Sequence, residues 1–167
     1  DAYCKTFSVL RSEMDSEDTY VKGLALEAFA IKVMKIVGLN FVRTRYRNLQ
    51  TGGAEVDVLF DSACLLYSRW QVQCKNTKTV TIDMVAKEVG LAHMLKSNVI
   101  VVMTTGHLTS EAKKYARRIM EDMNLCIFTL EEEDIAQIIA DPPSIREIFD
   151  RQAEETKQIK SLREGEA

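Results

Sequence analysis

The chain has 167 residues and a net charge of −3, and its content of 46% hydrophobic and 28% charged residues is typical of a soluble globular domain. The acidic balance argues against a strong, general nucleic-acid binder, because such proteins need cationic groups to meet phosphates. No apolar run approaches the roughly 20 residues of a membrane span, and the scattered cysteines fit neither a zinc site nor a disulfide framework. We therefore expect a reduced, cytoplasmic protein without a secretory signal.

The first half of the chain predicts one long helix followed by three antiparallel strands. Acidic residues at 15–18 suit a helix N-terminus, and residues 19–38 form a mostly apolar pattern that Gly38 can end. The segment 48–53 contains two glycines and predicts a turn between the first two strands. Residues 1–14 carry little signal. Alternating apolar and polar residues predict the three strands at 41–47, 54–60 and 65–75.

The second half predicts helices that alternate with buried strands. Continuous apolar runs at 98–105 and 125–130 predict strands covered on both faces. The whole order predicts a single α/β domain over 1–167, in which an antiparallel three-strand meander and a following αβαβ segment form a mixed sheet flanked by helices on both faces. Its core is expected at about 16–140, and a helical, charged tail at 144–167. The predicted helices of this half begin at Thr81 or Asp83, at Thr109 and at Glu131.

The long predicted helix carries a carboxylate within an apolar face. With 3.6 residues per turn, the side chains within about 60° of Glu27 are all apolar. They are Leu24, Ala30, Ile31 and Met34. An unpaired carboxylate is costly to bury at such a position.

The third predicted strand has two contrasting faces. Read with a period of two, the stretch WQVQCKN at 70–76 has apolar side chains on one face and Gln71, Gln73 and Lys75 on the other. The polar face either lies in water or lines a functional site. If this strand pairs with the one before it, Asp57 lies beside Gln73 and Lys75.

The long predicted helix, by covering this face, would aim Glu27 at Asp57, and the two acids together require a cation. Lys75 can supply it as a structural salt bridge to either acid. A hard divalent metal is the other reading, with Gln73 as a neutral oxygen donor. Mg²⁺ keeps several waters, one of which can attack phosphorus, and Lys75 can stabilise or accept charge beside that water.

The same pieces resemble a known family. Glu27 in a helix, TGGAEVDVLF at 51–60, VQCKN at 72–76 and VIVVMTTGHLTSEAKKYA at 99–116 look like the Mrr-like restriction endonuclease domain of the PD-(D/E)xK nuclease superfamily. The resemblance spans roughly residues 20–140. It implies a restriction-endonuclease-like fold and hydrolysis of phosphodiester bonds in DNA with Mg²⁺ or Mn²⁺. The prediction is therefore a metal-dependent DNA endonuclease domain, the cleavage module of a restriction system.

The resemblance also implies a role for each site residue. Asp57 binds the metal, and Gln73 takes the place of a second acidic ligand. Lys75 assists the nucleophilic water, and Glu27 acts from the helix as a further ligand, directly or through a water. Gln73 departs from the Asp or Glu of most of the superfamily, although the Mrr-like branch tolerates Gln, and its lack of charge predicts weaker metal binding. The alternatives are a nuclease-fold module that has lost catalysis and binds DNA or protein, and a junction resolvase or repair nuclease of the same superfamily.

Basic side chains on two elements are candidate DNA contacts. Arg43, Arg45 and Arg47 share one face of the first predicted strand, where they either hold phosphates or discourage aggregation at a sheet edge. Lys113 and Arg117 lie opposite the apolar stripe of their helix, for which a solvated face is the favoured reading. The acidic net charge predicts weak DNA binding by this domain alone. Recognition is then expected from a homodimer or from an additional recognition or motor domain, in a longer protein from which this chain, beginning with Asp, has been cut.

Overall fold

The computed structural model describes residues 4–47, 54–64 and 66–161. The helices in these ranges are α1 (Phe7–Met14), α2 (Thr19–Ile36), α3 (Ile82–Leu95), α4 (Ser110–Asp122), α5 (Glu132–Ala140) and α6 (Ser144–Lys160). The strands are β1 (Asn40–Tyr46), β2 (Val56–Ser62), β3 (Ser68–Lys75), β4 (Thr79–Val80), β5 (Val99–Thr104), β6 (His107–Leu108) and β7 (Cys126–Leu130). The predicted turn at 48–53 and the residues after 161 lie outside the described ranges.

The larger sheet confirms the predicted mixed architecture. Its strand order is β1-β2-β3-β5-β7. The first three strands pair antiparallel as a meander, and β5 and β7 extend the sheet parallel to β3. Helices α3 and α4 make the crossovers that parallel neighbours require. The short strands β4 and β6 pair with each other in a separate ladder, which the sequence did not predict.

Helix α2 begins and ends close to its predicted limits. The Asp18 side chain caps its first turn by accepting two backbone N–H bonds, and Gly38 follows its end with a φ of 95°, a conformation that favours glycine. Helix α1 was not predicted. It packs on α2 through Phe7 and Phe29, whose ring centroids are 5.3 Å apart. No helix in the described ranges is both long enough and apolar enough to span a bilayer.

Different helices pack on the two faces of the sheet. Helices α1, α2, α5 and α6 cover the face that carries Val58 and Val72 in an apolar layer. Helices α3 and α4 cover the other face, which carries Ile100 and Val102. Asp57 neighbours Val58 in the strand, so its side chain points to the α3 side. The prediction that α2 covers the Asp57 face is therefore wrong, because this mostly apolar helix packs on the apolar side of β2 and β3.

The segments that follow β3 and β5 cross in close contact. A Cβ on Gly106 would overlap the backbone carbonyl oxygens of Thr77 and Lys78, so a larger residue does not fit at this position. The Gly106 N–H donates to Thr104 Oγ1, which in turn donates to the Thr77 carbonyl oxygen at 3.3 Å. This crossing holds the end of β3, which carries Lys75, against the end of β5.

Candidate active site

The polar face of β3 is buried under α3. The register pairs Val58 with Val72, so Asp57 lies opposite Gln73. Gln73 Nε2 donates to Asp57 Oδ2 at 2.5 Å, and the backbone N–H of Cys74 donates to the same oxygen at 2.7 Å. Gln73 is 4% exposed, and its Oε1 has no hydrogen-bond partner among the described residues. The structure thus brings Asp57 and Gln73 together in the interior.

Burial of the Asp57 carboxyl makes its ionised form less favourable. Loss of water raises its pKa to about 6, and the Cys74 N–H bond and the positive charge of Lys75 oppose this rise. Negative charge on Glu27 and Glu55 adds to it. A cation placed beside Asp57 would stabilise its ionised form and lower the pKa again.

Lys75 ends β3 on the same face, two residues after Gln73. Its ammonium makes neither a hydrogen bond nor an ion pair within the ranges that the structure describes, so the salt bridge to Asp57 or Glu27 does not form. Its positive charge nevertheless opposes the rise that burial causes in the pKa of both Asp57 and Glu88. Lys75 is therefore a half-buried cation near two acids and bonded to neither.

Glu27 lies on α2, on the other side of the sheet from α3. Its carboxylate is paired with Arg45: Nη2 is 3.3 Å from Oε1, and Nε is 3.4 Å from Oε2. The Glu27 side chain is 17% exposed, and its charge reaches the site, because it raises the pKa of Asp57. The cation bonded to Glu27 is therefore Arg45, which the sequence did not identify, and not Lys75.

The predicted basic residues are engaged in other contacts. Besides the pair formed by Arg45, Arg47 Nε lies 2.6 Å from Glu55 Oε2, and the Arg43 guanidinium lies 5.2 Å from the Tyr46 ring centroid. DNA contacts by these side chains stay a prediction, and phosphates would have to compete with the acids. The two candidate residues on α4 are also paired with acids: Lys113 with Glu131 at 2.7 Å, and Arg117 with Glu121 at 3.0 Å.

One buried acid on this face was not predicted. Glu88 of α3 is 1% exposed. Gln71 Nε2 donates to Glu88 Oε2 at 3.3 Å and to the Glu88 backbone oxygen at 3.0 Å. Burial raises the pKa of Glu88 to about 7, although the charge of Lys75 acts against this rise. A second polar pair, Gln71 and Glu88, thus lies beside Asp57 and Gln73.

The sequence held a signal for Glu88 that was not used. Val85 and Ala92 lie about one turn to either side of it and are buried in the apolar stripe of α3. The same argument that singled out Glu27, a carboxylate within an apolar helical face, applies to Glu88.

Comparison with known families decides what kind of domain this is. The family model Mrr_cat, described as a restriction endonuclease, matches residues 20–139. The chain belongs to this family. The match confirms the resemblance drawn from the Glu27 helix, the Asp57 strand and the segment at 72–76. The domain is accordingly of the restriction endonuclease type.

Two solved structures share the fold of this restriction endonuclease domain. MspJI restriction endonuclease, solved in complex with a 27-mer oligonucleotide, matches with a TM-score of 0.50 and 18% identity over 97% of this chain. The chain spans 38% of the length of that protein. AF1548, a protein of unknown function, matches with a TM-score of 0.51 and 13% identity over 80% of this chain and 86% of its own. No curated protein matches.

The donor atoms at the site fit a sparsely ligated Mg²⁺. Among the described residues, no three His, Cys, Asp or Glu side chains are placed to hold a metal ion together. The available donors are the Asp57 carboxylate and the buried, unpartnered Gln73 Oε1. Mg²⁺ suits such a set, because it keeps several waters and takes one or two carboxylates plus substrate phosphate oxygens. The Gln73 amide nitrogen now faces Asp57, so ligation by both side chains requires the amide to turn.

Proposed function

We propose that this chain is a Mg²⁺-dependent endonuclease domain that hydrolyses phosphodiester bonds in DNA, as the cleavage module of a restriction system. The observation that supports this proposal is the grouping of Asp57, Gln73 and Lys75 on one face of adjoining strands, where Gln73 is buried and the other two are half-buried. Within the described residues, the group combines an ionisable carboxylate, an amide oxygen without a donor, and an ammonium without a bonded acid. These are the kinds of group that metal-assisted hydrolysis of a phosphodiester needs.

Asp57 and Gln73 are the proposed metal ligands. Asp57 supplies a carboxylate once it has lost its proton, and Gln73 supplies its side-chain oxygen after its amide turns. A bound Mg²⁺ or Mn²⁺ would neutralise charge on the phosphate as it is attacked. The amide brings no charge, so affinity should be lower than for two acids. Glu27 stays a predicted ligand, and its use requires its pair with Arg45 to open.

Lys75 is the proposed group that acts on the nucleophile and the phosphate. Its flexible stem carries a compact ammonium with three donors, which can orient a water and stabilise negative charge on a phosphate oxygen. It is free of direct bonds to acids within the described ranges, so it can turn to the substrate without breaking an ion pair.

We propose that DNA recognition lies outside this site. The net charge is −3, and the basic side chains on β1 and α4 that were candidates for phosphate contact are already engaged. Binding by the domain alone should therefore be weak and unselective. A homodimer, or a further recognition or motor domain, would supply the selectivity.

A plasmid assay tests the proposed activity. The purified chain should nick or cut supercoiled plasmid with Mg²⁺ or Mn²⁺ and should not do so with a chelator. Asp57→Ala and Lys75→Ala should each lower the cleavage rate by at least about 100-fold, because each removes a group that acts on the transition state. Circular dichroism and urea unfolding would show that both variants are folded.

Two exposed residues on α6 provide matched controls. Asp150→Ala and Lys157→Ala make the same chemical changes in surface ion pairs and should leave cleavage within about twofold. Cleavage by the Asp57 and Lys75 variants at the rate of these controls would refute the assignment.

The second candidate is a nuclease-fold module without catalysis that binds DNA or protein. It is favoured by the hydrogen bond from Gln73 to Asp57, which satisfies one carboxylate oxygen without any metal. Calorimetric titration with Mn²⁺ separates the two candidates, because an inactive module should show no binding that Asp57→Ala abolishes. If the chain is active, comparison of circular, linear and four-way DNA would identify a junction resolvase or repair nuclease instead.

A further inference from the structure

Glu88 is a buried acid whose own contacts do not account for its position. Its Oε1 has no hydrogen-bond partner among the described residues, and Oε2 accepts only from Gln71 Nε2 at 3.3 Å. A buried carboxylate with one weak hydrogen bond costs stability unless a cation lies close to it. The position therefore calls for an explanation in terms of function.

The layer between α3 and β3 connects Glu88 to the candidate active site. Gln71, Gln73 and Lys75 alternate along β3 and point to the side that α3 covers. The side-chain amide of Gln71 donates both to the side chain and to the backbone oxygen of Glu88. Gln73 touches Asp57. Glu88 and Asp57 are thus bound by neighbouring glutamines on one strand face, with Lys75 at the end of the same row.

Two lysines act on Glu88, and only one of them belongs to this layer. Lys87 is its neighbour in α3 but is exposed, so that its ammonium is screened by water. Lys75 is half-buried on the face that α3 covers, and its charge is the stronger of the two at Glu88. Lys75 also has no bonded acid within the described ranges.

We propose that Glu88 is a positioning residue for Lys75: its carboxylate attracts the ammonium and retains it over the α3 side of the site, and Gln71 holds that carboxylate in place. The inference rests on the proposed function only for the consequence on cleavage, since the attraction between the two charges is a property of the chain. The attraction matters most when a divalent cation occupies the Asp57 side, because that cation would repel the ammonium. Glu88 then keeps Lys75 within reach of the phosphate.

A double-variant cycle on stability tests the contact without any cleavage. The cycle compares the parent, Glu88→Gln, Lys75→Met and the double variant by urea unfolding at pH 8, without metal. Glu88→Gln should raise the urea midpoint in both backgrounds, because it removes a buried charge. The rise should be larger by roughly a factor of two with Lys75→Met, where the favourable partner is already absent.

The exposed pair Glu154–Lys157 on α6, at 3.1 Å, is the matched control. The same cycle with Glu154→Gln and Lys157→Met should show additive shifts, because a solvated pair contributes little. Equal shifts in both backgrounds of the Glu88–Lys75 cycle would overturn the proposed contact, whether or not the parent cuts DNA.

Kinetics of plasmid cleavage test the positioning role. Glu88→Gln should lower kcat by roughly tenfold and leave KM nearly unchanged, because the substrate still binds while Lys75 is misplaced. Glu88→Asp, which keeps the charge, should recover part of the loss. In the Lys75→Met background, Glu88→Gln should have no further effect. An unchanged kcat in an active parent would overturn the positioning role, whereas an inactive parent would count against the proposed function, and the stability cycle would still decide the contact.

Discussion

The two sides of the β2–β3 pair serve opposite purposes. On the α2 side, Val58, Phe60 and Val72 pack with Phe29 in an apolar layer that contributes stability. On the α3 side, Gln71, Gln73 and Glu88 are buried, and each has an oxygen without a partner among the described residues. The comparison teaches that a single sheet can contribute stability through one face and give up stability through the other, where buried polar groups are incompletely hydrogen-bonded among the described residues.

The largest effect on stability should come from a cavity in the apolar layer on the α2 side. Phe60 is fully buried, and Phe60→Ala should lower the free energy of unfolding by about 3–5 kcal/mol, through lost transfer energy and the cavity left behind. The Phe41 ring packs edge-to-face against Phe60 but is 42% exposed, so Phe41→Ala should cost only about 1 kcal/mol. Urea unfolding of both variants checks this, and similar losses would contradict the assignment of the core to the α2 side.

Removal of the buried charge of Glu88 on the polar side should instead raise the free energy of unfolding. Burial raises the pKa of Glu88 from 4.5 to about 7, so the folded protein holds this proton more tightly than the unfolded chain does. The stability that the protonated group contributes is present below about pH 4.5 and is lost as pH rises through 7. Glu88→Gln should therefore match the parent near pH 4 and exceed its free energy of unfolding by up to about 3 kcal/mol near pH 8.

Unfolding curves at several pH values would measure this difference. The groups that act on Glu88 are Lys75, Lys87, Asp57 and Gln71, and all four are retained in Glu88→Gln. Exposed Glu154 provides the control, since Glu154→Gln should show no comparable pH dependence. A constant difference between Glu88→Gln and the parent at all pH values would contradict the prediction.

The smallest effect should appear at Arg45, where β1 meets the helix of the apolar side. Arg45 has a φ of 49°, which is strained for a residue with a Cβ, and it forms a partly exposed ion pair with Glu27. Arg45→Ala loses the pair and keeps the strain, whereas Arg45→Gly loses both. Arg45→Gly should be more stable than Arg45→Ala by about 1 kcal/mol. Thermal unfolding resolves such a difference, and the reverse order would argue against strain at this position.

The sequence predicted the five strands of the larger sheet and most helices because their patterns are local. Alternation showed that Gln71, Gln73 and Lys75 share a face, and hairpin pairing placed Asp57 beside Gln73, as the structure shows. Alternation does not say which helix covers a face. The choice of α2 for the polar face was wrong for this reason, since packing depends on the combined apolar surface of helix and sheet.

The partner of Glu27 could not be read from local pattern. Simple alternation in β1 placed Arg43, Arg45 and Arg47 together, but the register shifts between Phe41 and Arg43, and Arg45 has a positive φ. Irregularities of this kind break a period of two and depend on the paired strand. They explain why Arg45 meets Glu27 while Arg47 meets Glu55.

The close crossing at Gly106 has a consequence for how the domain can diverge. Backbone atoms, rather than side chains, fix the exit of β3 to the exit of β5 at this crossing. The exposed side chains of Thr77, Lys78 and Thr79 can therefore change while the neighbouring strand end keeps its course. Variation in this loop is therefore a route to new surface chemistry that leaves the ends of β3 and β5 in place.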